Sequence, residues 1–277
     1  MLSSRKNGCK LTHQGSSGLK VRKIKKKKSM PTIPSLEEML KAGVHFGHQA
    51  KRWHPKMEPY IFAERGGIHI VNLEETQRLL KESMDFVKNV VSRGGLVLFV
   101  GTKRQAQETV IKEANRCGMP NVHARWLGGT LTNFSEIKKL IRRLKTLREQ
   151  NERGELKKYT KKEQLMLSRE IEELTGKIGG IELLERLPEA VFVLDMHSDK
   201  IAVLEAKTMN VPVIAVCDTN INPDDANYVI PANDDASKSL ALVAKLMADA
   251  VIEGRKALET ARLATPQNVA APVAQIK

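Results

Sequence analysis

Apolar positions along this 277-residue chain fall into two patterns, short unbroken runs and longer stretches with helical spacing. Residues 96–100 (LVLFV), 190–194 (AVFVL) and 211–216 (VPVIAV) are too short for helices and show no polar alternation, the signature of strands buried on both faces of a parallel sheet. Helices are predicted over 73–91, where Leu79, Leu80, Met84, Val87 and Val91 share one face, and over 105–117, 200–209 and 235–254. Further strands are expected at 68–71 and 228–230. This βαβ series predicts an α/β fold, a mostly parallel doubly wound sheet with helices on both faces.

Residues 135–177 interrupt the series with two strongly helical stretches. Ile137, Leu140, Ile141, Leu144 and Leu147 line one face of the first, while Leu167, Ile171, Leu174 and Ile178 recur at the 4-3-4 spacing of a coiled-coil seam on the second. Gly154 breaks the chain between them, and Thr160 with Glu163 has the form of a capping box. The expected insertion is an antiparallel coiled-coil hairpin projecting from an α/β domain made of 30–134 and 178–256. A second capping box, Ser35 with Glu38, opens a short helix over 36–42. Residues 1–29 read as a disordered basic extension and 257–277 as a flexible tail, because neither can bury enough apolar surface to offset chain entropy.

Charge changes this picture mainly by where it sits. The formal net charge is +14, which points towards a polyanionic partner. Ten basic residues and no acid lie in the first 29 positions, so the remainder carries only about +4, concentrated in the insertion. That basic segment fits an RNA-binding tail, an organellar transit peptide or upstream sequence before a start at Met30. Three cysteines without CxxC spacing encode neither a disulfide framework nor a cysteine-rich zinc site. No run of 18 apolar residues occurs, so the expectation is a soluble protein.

Candidate chemistry begins at Val100-Gly-Thr-Lys-Arg104, which follows a strand and opens a helix, where backbone N–H groups commonly meet phosphate. It lacks both the GxxxxGK[ST] and the GxGxxG patterns. Asp195 and Asp218 stand at strand ends with His197 near the first, a grouping that could hold a divalent ion or could simply cap turns. His45 and His48 form a weaker metal candidate. No GxSxG elbow, HExxH helix or supported carboxylate pair supplies an enzyme with its reagents. The basic clusters Lys51-Arg52-Trp53-His54 and Arg125-Trp126 combine charge with rings suited to stacking on bases, although the core is the more usual place for either Trp. Lys138, Lys139, Arg142 and Arg143 add a basic face to the first inserted helix. Together with Lys103 and Arg104, these are the candidate RNA-binding residues; no catalytic residue, metal ligand or cofactor is assigned.

Five separated motifs now carry a resemblance: AGVHFGH at 42–48, WHPKM at 53–57, RWLGGTLTNF at 125–134, DTNINPD at 218–224 and IPANDDA at 230–236. In this order they closely resemble the bacterial-type small-subunit ribosomal protein S-two family, over about 34–256. The resemblance implies a flavodoxin-like α/β domain with the coiled-coil insertion at 135–177. It also implies a structural, non-enzymatic role on the solvent side of the small subunit. Such a protein would bind small-subunit rRNA, join late in assembly, and in bacteria help dock the mRNA-binding ribosomal protein S-one. It would be monomeric within the ribosome, away from membranes and cytoplasmic, with an organellar ribosome as the alternative. Against this stand two other readings of the residues, a phosphate-ligand enzyme using 100–104 with Asp195 and Asp218, and an interaction protein whose hairpin binds a partner helix.

Overall fold

The computed structural model describes residues 33–264. The basic extension at 1–29 and the last part of the expected tail, 265–277, lie outside them. Five strands, β4 (Val97–Val100), β5 (Asn121–Val122), β6 (Ala190–Val193), β7 (Val213–Cys217) and β8 (Tyr228–Pro231), form one parallel sheet in the order β5-β4-β6-β7-β8. Counted within this sheet, that is the 2-1-3-4-5 order of flavodoxin-like folds, with the reversal between β4 and β6.

The unbroken apolar runs are explained by two cores, one on each face. Val97, Phe99, Ala190, Phe192, Ile214 and Val216 enter one core, and their alternating neighbours Leu98, Val100, Val191, Val193, Val213 and Ala215 enter the other. The first core is closed by α2 (Leu73–Ser92), α3 (Arg104–Cys117) and α7 (Ser237–Ala264) through Leu80, Val87, Val110, Ala114, Val243 and Met247. The second is closed by α4 (Phe134–Glu152), the end of α5 (Lys161–Ile178) and α6 (Lys200–Thr208).

Ser35 and Glu38 form their reciprocal capping box ahead of α1 (Leu36–Ala42), and Thr160 and Glu163 do the same ahead of α5. On α4, Ile137, Ile141, Leu144 and Leu147 are buried, but Leu140 is exposed, so the seam is narrower than its apolar spacing suggested. Ile137, Ile141 and Leu144 belong to the second core itself, with Ile171 and Leu174 packed against it, which ties the inserted helices to the sheet by their proximal halves.

Three features depart from the expectations. Residues 68–71 do form a strand, β3 (Ile68–Val71), but not within the parallel series. It is the centre of a separate antiparallel sheet between β1 (Phe46–Gln49) and β2 (Ile61–Arg65), whose mixed polar sequences FGHQ and IFAER carry no strong strand pattern. The two-residue β5 is too short to leave a periodic signal and has no counterpart among the expected strands. Finally, α7 continues past Gly254 to Ala264, so the tail expected from 257 begins as helix. Gly254 costs little there because its missing side chain lets α7 approach Val91 of α2, where a Cβ would meet the Val91 Cβ at 2.8 Å.

Candidate functional site

The motif that follows β4 places Lys103 at the sheet's carboxyl edge, beside the reversal point where open α/β sheets hold ligands. Its ammonium lies 3.2 Å from Asp195, 2.8 Å from Asp234 and 2.7 Å from Asp235. Asp195, Asp218 and Asp234 are each 1% exposed. Asp195 accepts from the His197 and Ser198 amides and from the Ser198 hydroxyl at 2.7 Å, while Asp199 accepts from the Thr102 amide and hydroxyl. Asp218 accepts from the Thr219 amide at 2.6 Å and lies 3.0 Å from His48 Nδ1. The turn-forming role is therefore realised for Asp195, whereas Asp218 bridges segments through the Asp234 amide and His48.

Among the described residues, the side chains close enough to share a cation are His48, Asp234 and Asp235, rather than Asp195, His197 and Asp218. Lys103 already supplies a positive charge at hydrogen-bond distance from two of them. Lys103 is thus committed to the carboxylates of the crevice, which outnumber its cations, instead of being free for a phosphate.

Burial, together with the neighbouring Asp195 and Asp218, pushes Asp234 up to about 7 against the opposing pull of Lys103. Burial also works against the charged form of Lys103, but hydrogen bonds to Asp234 and Asp235 outweigh it and raise its pKa. The Asp218 carboxylate beside Nδ1 raises His48 despite partial burial. Raised values for both His48 and Asp234 mean that the folded protein holds protons that the unfolded chain releases. For His48 the stabilisation is fully present below the unfolded value near 6.5 and is lost as pH rises through the higher folded value. For Asp234 it is lost between about 4 and 7. Urea midpoints should therefore fall from pH 5 to pH 8, and Asp234→Asn should flatten the lower half of that slope. An unchanged slope in the variant would exclude Asp234 as a contributor.

The same edge joins the small antiparallel sheet to the large one. The His48 amide donates to Thr219 Oγ1 at 2.9 Å, the His54 amide to the Thr219 carbonyl at 2.8 Å, and the Asn233 amide to the Val44 carbonyl at 3.1 Å. Gly47 permits the close approach, since a Cβ there would meet Thr219 Cγ2 at 2.6 Å. AGVHFGH, DTNINPD and IPANDDA, up to 190 residues apart, are thereby parts of one joint.

RWLGGTLTNF is organised by a residue that the sequence pattern did not single out, Glu205 of α6. One of its carboxylate oxygens accepts from Trp126 Nε1 at 3.0 Å and the Gly129 amide at 2.7 Å; the other accepts from the Leu131 amide at 2.9 Å and from the Thr132 amide and hydroxyl. Burial works against its charge, yet these five donors win and hold its carboxyl below the usual range. The available signal was an acid sitting among Ala202, Val203 and Ala206 on the buried face of α6. Trp126 is itself buried and offers no open face to a base.

The other candidates lie on the surface. Lys51, Arg52, Arg104, Arg125 and Arg142 are exposed and make no ion pair with another described residue. Trp53 is 38% exposed, its ring 5.4 Å from that of His69. His54 is half-buried and caps a turn by accepting from the Lys56 amide. On α4, Lys138 lies over the Phe134 ring, Lys139 pairs with Glu136 at 2.7 Å, and Arg143 pairs with Glu170 of α5 at 3.0 Å.

The family model for ribosomal protein S2 matches residues 39–254, which include every motif of the edge and of the Glu205 loop. The chain belongs to the ribosomal protein S2 family. A curated relative, small ribosomal subunit protein uS2 from the bacterium Solidesulfovibrio magneticus, is 50% identical over 225 residues, covering 81% of this chain and 87% of that protein. As a ribosomal protein S2 family member, the chain is a structural protein of the small ribosomal subunit and not an enzyme. Family membership and the ion-paired state of Lys103 together remove the phosphate-ligand enzyme from consideration.

Proposed function

We propose that the protein docks on small-subunit rRNA through two sets of surface cations, all exposed except half-buried Lys138. One is the turn carrying Lys51 and Arg52 beside Trp53; the other comprises Arg125 and the α4 residues Lys138, Lys139, Arg142 and Arg143. Arg104 is an additional contact, whereas Lys103 and Trp126 serve the fold. The observation that carries this reading is that Lys51, Arg52, Arg104, Arg125 and Arg142 reach solvent without an acidic partner among the described residues. Unpaired cations gain most from phosphate, because binding releases condensed counterions at no cost of a broken ion pair. Trp53, partly exposed beside Arg52, can stack on an unpaired base. The family resemblance extends the proposal to late assembly on the cytoplasmic bacterial ribosome and to helping dock ribosomal protein S-one. Exposed Tyr159, Leu165 and Met166 on and beside α5 support a protein neighbour there.

Replacing Lys138, Lys139, Arg142 and Arg143 together by Gln should weaken association with subunits depleted of this protein and flatten its salt dependence. Each phosphate left without its cation lowers the log–log slope by about 1. Arg142 should account for more of the effect than Lys139 or Arg143, which already hold carboxylates. Unaltered affinity and slope would remove α4 from the contact surface.

A further inference from the structure

We propose that Glu205 is the positioning residue for the RNA-facing loop, setting the direction of Arg125 without itself touching RNA. The inference rests on the rRNA reading above and adds a specific dependence to it. Residues 123–133 have almost no regular structure to hold them. Gly129 sits at φ +89°, and Asn133 precedes α4 without a side-chain cap. Local hydrogen bonds are few: the Thr130 amide and hydroxyl reach the Leu127 carbonyl, and the Asn133 amide reaches the Gly129 carbonyl. Beside the core packing of Trp126 and Leu131, the segment's polar anchor to the body is Glu205, through one indole donor, three amides and one hydroxyl spread over seven residues.

The anchored residues flank the functional ones. Trp126 is tied down immediately after exposed Arg125, and Thr132 is tied down two residues before α4 begins. The carboxylate also lies against the amides leading into the α4 N-terminus, where the helix dipole favours negative charge. A neutral amide cannot replace it. Gln at this position would offer one acceptor and present N–H to the other set of donors, so half of the loop would lose its anchor.

The test is a double-mutant cycle with full-length protein and small subunits depleted of it. Wild type, Glu205→Gln, Arg125→Ala and the double variant are compared at a temperature where circular dichroism shows each to be folded. Glu205→Gln should weaken binding about tenfold, the scale of one hydrogen bond to a charged group. The same change should cost clearly less when Arg125 is already Ala, because the loop then has no cation left to misplace. Amide exchange at Gly129, Leu131 and Thr132 should accelerate while that of β6 is unchanged. Trp126→Phe, which removes the indole donor and part of a buried ring but leaves the carboxylate and its four other donors, should show the same coupling and gives a second reading should the first variant misfold. A full, additive loss in both backgrounds would overturn the positioning role while leaving Arg125 as an RNA contact. No effect of Arg125→Ala would overturn both.

Discussion

Lys103→Met should lower the unfolding free energy by about 3–5 kcal/mol at pH 7.5, the range found when one partner of a buried ion pair is removed. The cause is the company left behind. Asp195 and Asp234 are buried with Lys103 as their nearby ammonium, and Asp218 adds a third buried carboxylate to the same cluster. Met keeps most of the apolar stem, so the loss reports the missing charge more than missing packing. The defect should shrink at pH 5, because Asp234, already raised to about 7, can then carry its own proton. Urea titrations at both pH values read this directly. A loss under about 1 kcal/mol at pH 7.5, as for an exposed pair, would mean that water and not Lys103 compensates the carboxylates.

Phe192→Ala should cost a similar amount, about 3–5 kcal/mol, by a different route. Phe192 is fully buried in the central strand β6 and meets Phe99 of β4 edge-on, with ring centroids 5.2 Å apart. The ring fills the space between the sheet and the layer of α2, α3 and α7. Truncation leaves a cavity there that the rigid sheet cannot close. This loss should barely change between pH 5 and pH 7.5, in contrast to that of Lys103→Met. At temperatures where the variant is folded, rRNA affinity should be unchanged, since Phe192 lies beneath the sheet and not in the candidate interface. A pH-dependent loss, or weakened binding by the folded variant, would contradict this separation of core from surface.

How much of this was readable in advance differs by the range of the interaction. The strands at 97–100, 190–193 and 213–217 were legible because full burial on both faces imposes a continuous apolar run, a signal contained within five residues. Both capping boxes were legible because each closes within three residues. The three-stranded sheet was not, since β1 and β2 owe their pairing to β3, β1 owes its place to Thr219, and two thirds of the residues of β1 and β2 face solvent. The two Lys/Arg-Trp pairs show the same limit in a single residue type. Trp53 stays partly exposed and Trp126 is buried against Glu205, although their local sequences look alike.

The sequence by itself determined the fold class, the positions of the main helices and strands, the motif set that identifies the family, and the lack of catalytic reagents. These depend on periodicity and residue type along the chain. Only the tertiary structure decided what the charged motif residues do. It drew Lys103 into a cluster with Asp195, Asp234 and Asp235, brought His48 to Asp218, and set Glu205 against five donors of a loop more than 70 residues earlier. A charge in a sequence carries no mark of its partner. Whether it is spent inside the fold or left for RNA is fixed by which segments the sheet order makes neighbours, and by how much water remains between them.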